Sequence, residues 1–539
     1  MKEFQFSHED FSVCLDSLSN GAAPGPDGIP AVMLKAARTT VSIILSNIFK
    51  SSYDSGHIPA ILKLAYVLPI YKGGSRSEPI NFRPISLTSH VVKTFERVLR
   101  KTLVNFIEYN KKMDQNQHGS RAGRSTLSQL LEQQDEILKA LEECENLDTI
   151  YLDFSKAFDK CDHGIIFHKV KSLGIKGKIG RWLFNFLSGR FLQVLVKGRK
   201  SSKSSLVSGV PQGSVIGPII FLIYISDIAE GINSNTLVYV DDTKLKQRVK
   251  SEEDVEHLQE ELNKLYIWGE NNNMEFNGKK FQVLRYGADS RLKEETEYFT
   301  GNYDELSSLR DLGICMSEDA IFTEHIENIC RKIRQKCGTF YTRNPEFMRF
   351  IFNSLVQPHI DYCSQLWMPQ EGPNLDKIEK LLRDFSRKIP GMAQLNYWER
   401  LKDLKKKSEQ RRMERYQIIY IWKIMEGLSP NCGVSWSPES NRNGRLCSIP
   451  ATNKGKTNVK AMRTQSFQVA GPRLFNCLPK SLRNIRRCSI EDFKVKLDAF
   501  LTRVPDEPKA DGLTPGASNQ INGKQTNSLI YQVARKSGN

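Results

Sequence analysis

At 539 residues the chain exceeds one ordinary domain and is expected to fold as two or three. Its longest strongly apolar run (215–225) is broken by Gly-Pro and too short to span a bilayer, and its first ten residues lack an apolar signal core, which argues against a membrane or secreted protein. Eleven scattered cysteines without a CxxC pair, and nine histidines without ligand spacing, exclude a disulfide framework and a zinc knuckle. A net charge of +17 points instead to a polyanionic partner, through phosphate neutralisation and counterion release. His163 and His168 are read as surface or supporting residues rather than a metal site.

Taken in chain order, residues 1–20 form a short helix-like lead-in, and GAAPGPDGIP (21–30) is an irregular loop. Helical periodicity follows over 31–50. Short apolar runs separated by turn residues predict a hairpin over 62–88. A helix over 91–107 places Val92, Phe95, Leu99, Leu103 and Phe106 on one stripe, and another over 124–143 has Leu127, Leu131, Leu138 and Leu141 on its buried face. The middle of the chain is mixed α/β: strands over 149–154, 191–198, 236–240 and 281–286, and helices over 177–188 and 255–275. After residue 320 the pattern becomes helical and basic. Ile326, Ile329, Ile333, Cys337 and Phe340 form one apolar stripe, and LKDLKKKSEQRRMER (401–415) reads as continued basic helix. The Lys/Arg cluster at 404–415 fits either a nuclear address or a helix face on nucleic acid. The last 35 or so residues, rich in Gly, Asn, Ser and Pro, are expected to be a disordered tail.

The chemistry rests on carboxylates. Asp241 and Asp242 follow directly on the apolar run TLVYV. An isolated Asp-Asp is usually a solvated turn; here Asp153, in TIYLDFSKAFD, stands at the end of another β-rich run. Neighbouring strands in one sheet would set Asp153 beside the Asp241–Asp242 turn, a cluster that repels itself unless cations neutralise it. Hard carboxylate oxygens suit magnesium, and a pair of ions roughly 3.5–4 Å apart clamps the attacking and leaving oxygens of an in-line displacement. Nucleotidyl transfer is the reaction class that follows. Lys72 and Arg83 flank the predicted hairpin turn and are placed to reach a triphosphate. Gln212 and Gly213, in SGVPQGSVIGP, sit where backbone approaches a base pair closely.

The blocks APGPDGIP, NFRPISLT, QHGSRAGRST, YLDFSKAFDKCDH, SGVPQGSVIGP, VYVDDTKL, WGENNNMEFNGKKFQVLRYG and RDLGICMSED, in this order over about residues 20–320, resemble the reverse transcriptase domain of LINE-type (non-LTR) retrotransposons, most like the jockey-like branch. HIENICRKIR, VQPHIDYCSQLW and AGPRLFNCLPKSL resemble the family's thumb and C-terminal segments. The resemblance implies an α/β (α+β) right-hand polymerase: fingers with the lead-in over 1–146, palm over 147–318, thumb over 319–400, a basic, mainly helical region over 401–505, and the tail over 506–539. It implies an RNA-directed DNA polymerase that extends a primer 3′-hydroxyl with dNTPs on an RNA template, using two Mg²⁺ ions or Mn²⁺. Asp153, Asp241 and Asp242 match its metal-binding aspartates, the first of the pair being the direct ligand. Phe158 matches the bulky residue that excludes a 2′-hydroxyl. Lys72 and Arg83 match residues that hold the triphosphate, and Gln212 and Gly213 the loop on nucleotide and template. Lys280 matches the lysine that protonates the leaving pyrophosphate, with Lys279 adjacent to it. Leu312, Gly313 and Ile314 match the primer grip.

Leu62 stands where the family commonly has Trp, Ser120 where it has Phe, and Val240 at its variable position before the aspartates. The N-terminal endonuclease of full family proteins is expected to be missing from this chain, so a separate endonuclease would be a partner. The expected setting is nucleus or cytoplasm. The rival readings are another polymerase with the same fold and, from a different class, a catalytically silent RNA-binding remnant of a retroelement.

Overall fold

The computed structural model describes residues 4–287, 290–298, 304–339, 344–369, 372–437, 444–506 and 530. The chain divides into two compact units, each gathered from separated stretches. The first comprises Met1–Ser120, Tyr151–Leu245 and Gln259–Phe281; the second comprises Arg121–Ile150, Lys246–Leu258 and Gln282–Asn539. In chain order the strands are β1 (Leu64–Tyr71), β2 (Phe82–Leu87), β3 (Asn146–Leu152), β4 (Arg190–Val196), β5 (Arg199–Lys200), β6 (Ser204–Leu206), β7 (Asn235–Tyr239), β8 (Asp242–Val249), β9 (Gln282–Tyr286), β10 (Asp304–Glu305), β11 (Ser308–Asp311) and β12 (Ile314–Ser317).

In the first unit, β1 and β2 form the expected hairpin, with Tyr71 opposite Phe82 and Ile70 opposite Arg83. The sheet continues β2-β1-β4-β5, with β6 pairing β4 on the edge away from β1, and β1 runs parallel to β4. Alternation along β1 buries Ala65 and Val67 and leaves Leu64 and Tyr66 half-buried, the period-two signature of a sheet with one face covered. The helix His90–Tyr109 starts at Ser89, whose Oγ accepts from Val91 N, and buries Val92, Phe95, Leu99 and Leu103 as its periodicity predicts, while Phe106 is half-buried and Ile107 is buried instead. Phe95 stacks on Phe49 with ring centroids 4.5 Å apart and meets Trp182 edge-on at 4.9 Å, an aromatic centre for this unit. The long apolar run becomes the helix Gly217–Tyr224, with Pro218 in its first turn and Ile219 to Tyr224 all buried. Hydrophobic on every face, it lies wholly in the core.

A second sheet has the order β10-β9-β3-β8-β7. All seven residues of β3 are buried, including Asn146, Asp148 and Thr149. In the second unit Asp148 is held by Arg285 Nε at 2.9 Å and by Tyr298 Oη at 2.7 Å. Opposite charge and hydrogen bonds are what allow a carboxylate inside a strand core.

The remainder of the second unit is helical, and two of its elements depart from the sequence reading. The helix Thr126–Glu142 was expected to bury one apolar face; it also buries Gln129, Gln133 and Asp135, while Leu127 and Leu141 are only half-buried. A partner distant in sequence makes the buried carboxylate tolerable, and another ties the helix backbone. Arg463 donates to Asp135 Oδ1 at 2.7 Å, and Gln468 Nε2 donates to the Leu131 and Cys432 carbonyls. The second departure is at 401–415, which is not one helix. Tyr397–Asp403 ends, Lys405 takes a left-handed φ of +50°, and Glu409–Met425 begins afresh. Lys405 N donates to Lys402 O and Lys406 N to Leu401 O, the paired closure of a Schellman motif, with lysine where glycine is usual. Ser408 then caps the next helix by accepting from Arg411 N at 3.1 Å, and Asp506 accepts from both Ser408 N and Ser408 Oγ at 2.7 Å. Capping chemistry thus overrides a run whose composition alone favours continued helix.

Further along, Ile326, Ile329 and Ile333 lie buried on Thr323–Thr339 as expected and Cys337 is half-buried; Phe340 is outside the described residues. So is the expected disordered tail from 507 on, residue 530 excepted. Two buried carboxyls meet between the helices Pro373–Arg387 and Glu409–Met425. Tyr397 Oη donates to Glu379, Glu409 N donates to Glu379 Oε2 at 3.0 Å, and Gln357 Nε2 donates to Glu409 Oε2 at 2.9 Å. Burial pushes both carboxyls upward, Glu409 to about 8. No helix among the described residues is long and apolar enough to cross a membrane.

Candidate active site

All of the polymerase-type residues singled out by the sequence, except the 312–314 turn, lie in the first unit. Asp153 follows directly on β3, and Asp241 lies in the two-residue turn between β7 and β8. Backbone pairing of 153–155 with 275–277 fixes the first: Asn277 N donates to Asp153 O and Ser155 N to Glu275 O, both at 2.8 Å, and Phe154 stacks on Phe276 at 4.4 Å. The same pairing delivers the turn Gly278–Lys280, so that Lys280 Nζ forms an ion pair with Asp153.

Asp241 is half-buried. Its carboxyl is pushed upward, first by burial and then by the like charge of Asp153, while its own backbone N–H, Lys280 and Arg83 pull the other way. Two carboxylates and two cations therefore share one electrostatic neighbourhood. Asp242 is exposed, and among the described residues no three His, Cys, Asp or Glu side chains gather as a metal-binding group.

The turn carrying Asp241 is strained. Val240 has a φ of +60°, a conformation a β-branched residue rarely adopts. The loop 116–119 holds it there. His118 N donates to Val238 O at 2.8 Å and Val238 N to Asn116 O at 3.0 Å, so this loop pairs with β7. Gln117 Oε1 accepts from Val240 N at 3.0 Å and from Gly119 N at 2.7 Å. A Cβ on Gly119 would stand 2.5 Å from Val240 N, so only glycine fits. Gln117 and Gly119 are thus supports the sequence reading did not assign. The QHG block was visible, but nothing in it says which turn it clamps.

Phe158 is half-buried and stacks on Phe221 at 4.4 Å and 15°, which fixes its ring plane. The loop 208–214 packs beside it: Val210 N donates to Phe158 O at 2.8 Å, and His163 Nε2, which must carry its proton, donates to Gly209 O at 2.8 Å. His163 thus supports this loop, while His168 is exposed. Gln212 Nε2 lies 3.3 Å from Asp159 Oδ1, and its carbonyl accepts from Ser86 N at 2.6 Å. Gly213, at φ +119°, is so close to β2 that a Cβ would meet Ser86 O at 2.5 Å. Glu96, fully buried on His90–Tyr109, accepts from Val215 N at 2.6 Å and Ile216 N at 3.1 Å, and anchors the far end of this loop. Its carboxyl is pushed upward by burial, and nothing in its helical periodicity sets it apart.

Arg83 on β2 and Lys72 just past β1 are both exposed; Arg83 acts on Asp241, and Lys72 acts on Asp159, whose carboxyl burial pushes upward. Leu312, Gly313 and Ile314 belong to the second unit and close the β11–β12 hairpin, with Leu312 at φ +44° and Gly313 at φ +92°. There Tyr362 Oη donates to Leu312 O at 2.7 Å. Leu62 is buried in the first unit without the ring of a Trp, and Ser120 takes a left-handed φ of +55°.

Residues 70–314 match the family described as reverse transcriptase (RNA-dependent DNA polymerase). The chain is 25% identical over 387 residues to the "Probable RNA-directed DNA polymerase from transposon X-element" of Drosophila melanogaster, covering 69% of this chain and 42% of that protein. It is 27% identical over 412 residues to the "RNA-directed DNA polymerase from mobile element jockey" of the same organism, covering 72% and 45%. The chain thus spans less than half the length of these curated relatives. A solved structure of apo telomerase from Candida tropicalis overlaps 51% of this chain and 58% of its own at 14% identity and a TM-score of 0.35, too loose a likeness to carry an argument. Residues 70–314 thus match a reverse transcriptase family model, and the relatives that align with the chain are named as RNA-directed DNA polymerases of mobile elements.

Proposed function

We propose that this chain is an RNA-directed DNA polymerase that adds dNTPs to a primer 3′-hydroxyl on an RNA template by two-metal nucleotidyl transfer. The observation that carries this reading is the meeting of Asp153, at the end of β3, with Asp241, in the β7–β8 turn. The like charge of Asp153 disfavours ionised Asp241, and Lys280 already pairs with Asp153, so added positive charge is favoured here. Two hard carboxylates in such a field fit Mg²⁺ or Mn²⁺, with Asp242 at the rim. The ions, when bound, supply charge for the triphosphate and acidify the primer hydroxyl.

The remaining steps belong to the protein's own side chains. Arg83 and Lys72 neutralise and orient the triphosphate from the hairpin. Phe158, held by Phe221, presents a fixed wall to the sugar and leaves no acceptor for a 2′-hydroxyl. Gln212 and Gly213 bring backbone close to the nascent pair. Lys280, paired with Asp153, hands a proton to departing pyrophosphate in this reading. In this reading residues 1–146, 147–318 and 319–400 serve as fingers, palm and thumb, and Leu312, Gly313 and Ile314 grip the primer.

The test is primer extension on poly(rA)/oligo(dT) with Mg²⁺ and dTTP, comparing the protein with Asp241→Ala. Extension by the first and a loss of at least ~10³-fold in the second is expected, because an uncompensated metal ligand costs several kcal/mol of transition-state stabilisation. No extension by a folded protein that still binds template–primer would favour the silent RNA-binding remnant. Incorporation of UTP as readily as dTTP would remove Phe158 from its role.

A further inference from the structure

In the second unit, the break at 404–408 opens onto a cavity of about 480 Å³. Its walls carry six cationic side chains, Arg349, Lys405, Lys406, Lys407, Arg412 and Arg415, and one carboxylate, Asp498. Arg415 takes Asp498 through two hydrogen bonds of 2.6 and 2.8 Å. Arg349 reaches Asp403 at 3.1 Å and Arg412 reaches Asp361 at 2.7 Å. That leaves positive charge over. Lys406 donates to the neutral Asn353 Oδ1 at 2.6 Å and lies 4.5 Å from the Phe352 ring centre, and burial pushes its ammonium down to about 8. Lys407 has only a long approach of 3.9 Å to Asp498. Arg412 Nε lies 3.8 Å from Glu409 Oε2, too far for a hydrogen bond, and the buried Nε of Arg349 has no hydrogen-bond partner among the described residues. Asn353 belongs to a π-helical stretch, Phe352–Val356, a helix irregularity that frequently marks a functional site.

The helix that contributes Arg349 to this wall also exposes two rings. Phe347 and Phe350, on the helix Pro345–Ile351 that also bears Arg349, are 50% and 63% exposed, with centroids 6.3 Å apart. Exposed aromatics interleaved with cations are what unpaired bases and their phosphates require. Rings of this kind have no use for a free anion, and a duplex keeps its base faces to itself.

We propose that this cavity holds a backbone phosphate of a single-stranded polynucleotide, with a neighbouring base stacked on Phe347 or Phe350. Its residues all lie in the second unit and none is shared with the aspartate site, so the proposal stands whether or not the polymerase reading does.

The test uses the full chain and a fluorescent 4-thiouridine-containing oligo(U) 12-mer, with anisotropy across a salt series and photo-cross-link mapping. The expected cross-link falls within residues 345–353. Phe350→Ala, which removes an exposed ring and no core, should weaken binding at least ~5-fold, the low end of what base stacking contributes. Lys406→Gln should flatten the salt slope by about 0.7, one phosphate contact on a single strand, and Lys406→Arg should restore it. Unchanged affinity and slope in folded Phe350→Ala and Lys406→Gln, or cross-links only elsewhere, would overturn the proposal. Protection of Lys406 from acylation by inorganic tripolyphosphate but not by the oligonucleotide would also overturn it, giving the cavity to a free polyphosphate.

Discussion

Val240 and Lys405 are both non-glycine residues in a left-handed conformation, one beside the aspartates and the other beside the cationic cavity. They are stabilised in opposite ways. Lys405 is unbranched and ends a helix whose own carbonyls accept from Lys405 N and Lys406 N, so its conformation is a local affair. Val240 is β-branched, and its turn is held from outside by Gln117 and by the bare Cα of Gly119, more than a hundred residues earlier. The lesson is that a turn presenting one carboxylate to another is over-determined by distant contacts, whereas a turn that only changes direction is left to capping.

The largest effect that tests this contrast is expected from Gly119→Ala. Its methyl would displace Val240, and with it Asp241, by a fraction of an ångström or more. Misplacement on that scale costs roughly 10²-fold in rate. Primer-extension kcat should fall by about that factor while dNTP binding changes little; an unchanged kcat would mean that the clamp is not needed. Lys405→Gly should act in the reverse sense and more weakly, relieving a left-handed side chain and raising stability by up to ~1 kcal/mol in a denaturant titration. Loss of stability there would show that Lys405 too depends on distant contacts.

The smallest effect concerns pH. The Glu409 carboxyl is raised from the ordinary carboxylate range to about 8, so between about pH 4.5 and 8 the folded chain keeps a proton that the unfolded chain releases. The stability this contributes is complete below that window and is lost as pH rises through it. Glu409→Gln, permanently neutral, should remove part of that slope, leaving the variant ~2–4 °C more heat-resistant than the parent at pH 8.5 and little different at pH 5. Parallel melting curves at both pH values would assign the slope to other groups.

The contrast also explains what could be read from residues alone. The β1–β2 hairpin, the helix His90–Tyr109, β3, β7 and the aspartate turn all follow from periodicity and from charges placed at strand ends. Gln117, Gly119 and Glu96 did not declare themselves, because their work is done on backbone atoms 119 or more residues away, and side-chain pattern carries no trace of that. The break at Lys405 was missed for the opposite reason: it is closed by local backbone bonds to Lys402 and Leu401, and a lysine run without Gly or Pro reads as helix by composition.

The burial of Asp135 against Arg463 has a consequence for how the chain is made. These partners lie 328 residues apart. At ~5–20 residues per second a ribosome needs tens of seconds to reach the second after the first. During that interval the helix Thr126–Glu142 carries a carboxylate and two amides meant for the inside of a unit whose other walls do not yet exist. Newborn chains therefore pass through a long stage in which the first unit has nearly all of its sequence while the second waits, with its apolar surfaces open to chaperones or to aggregation.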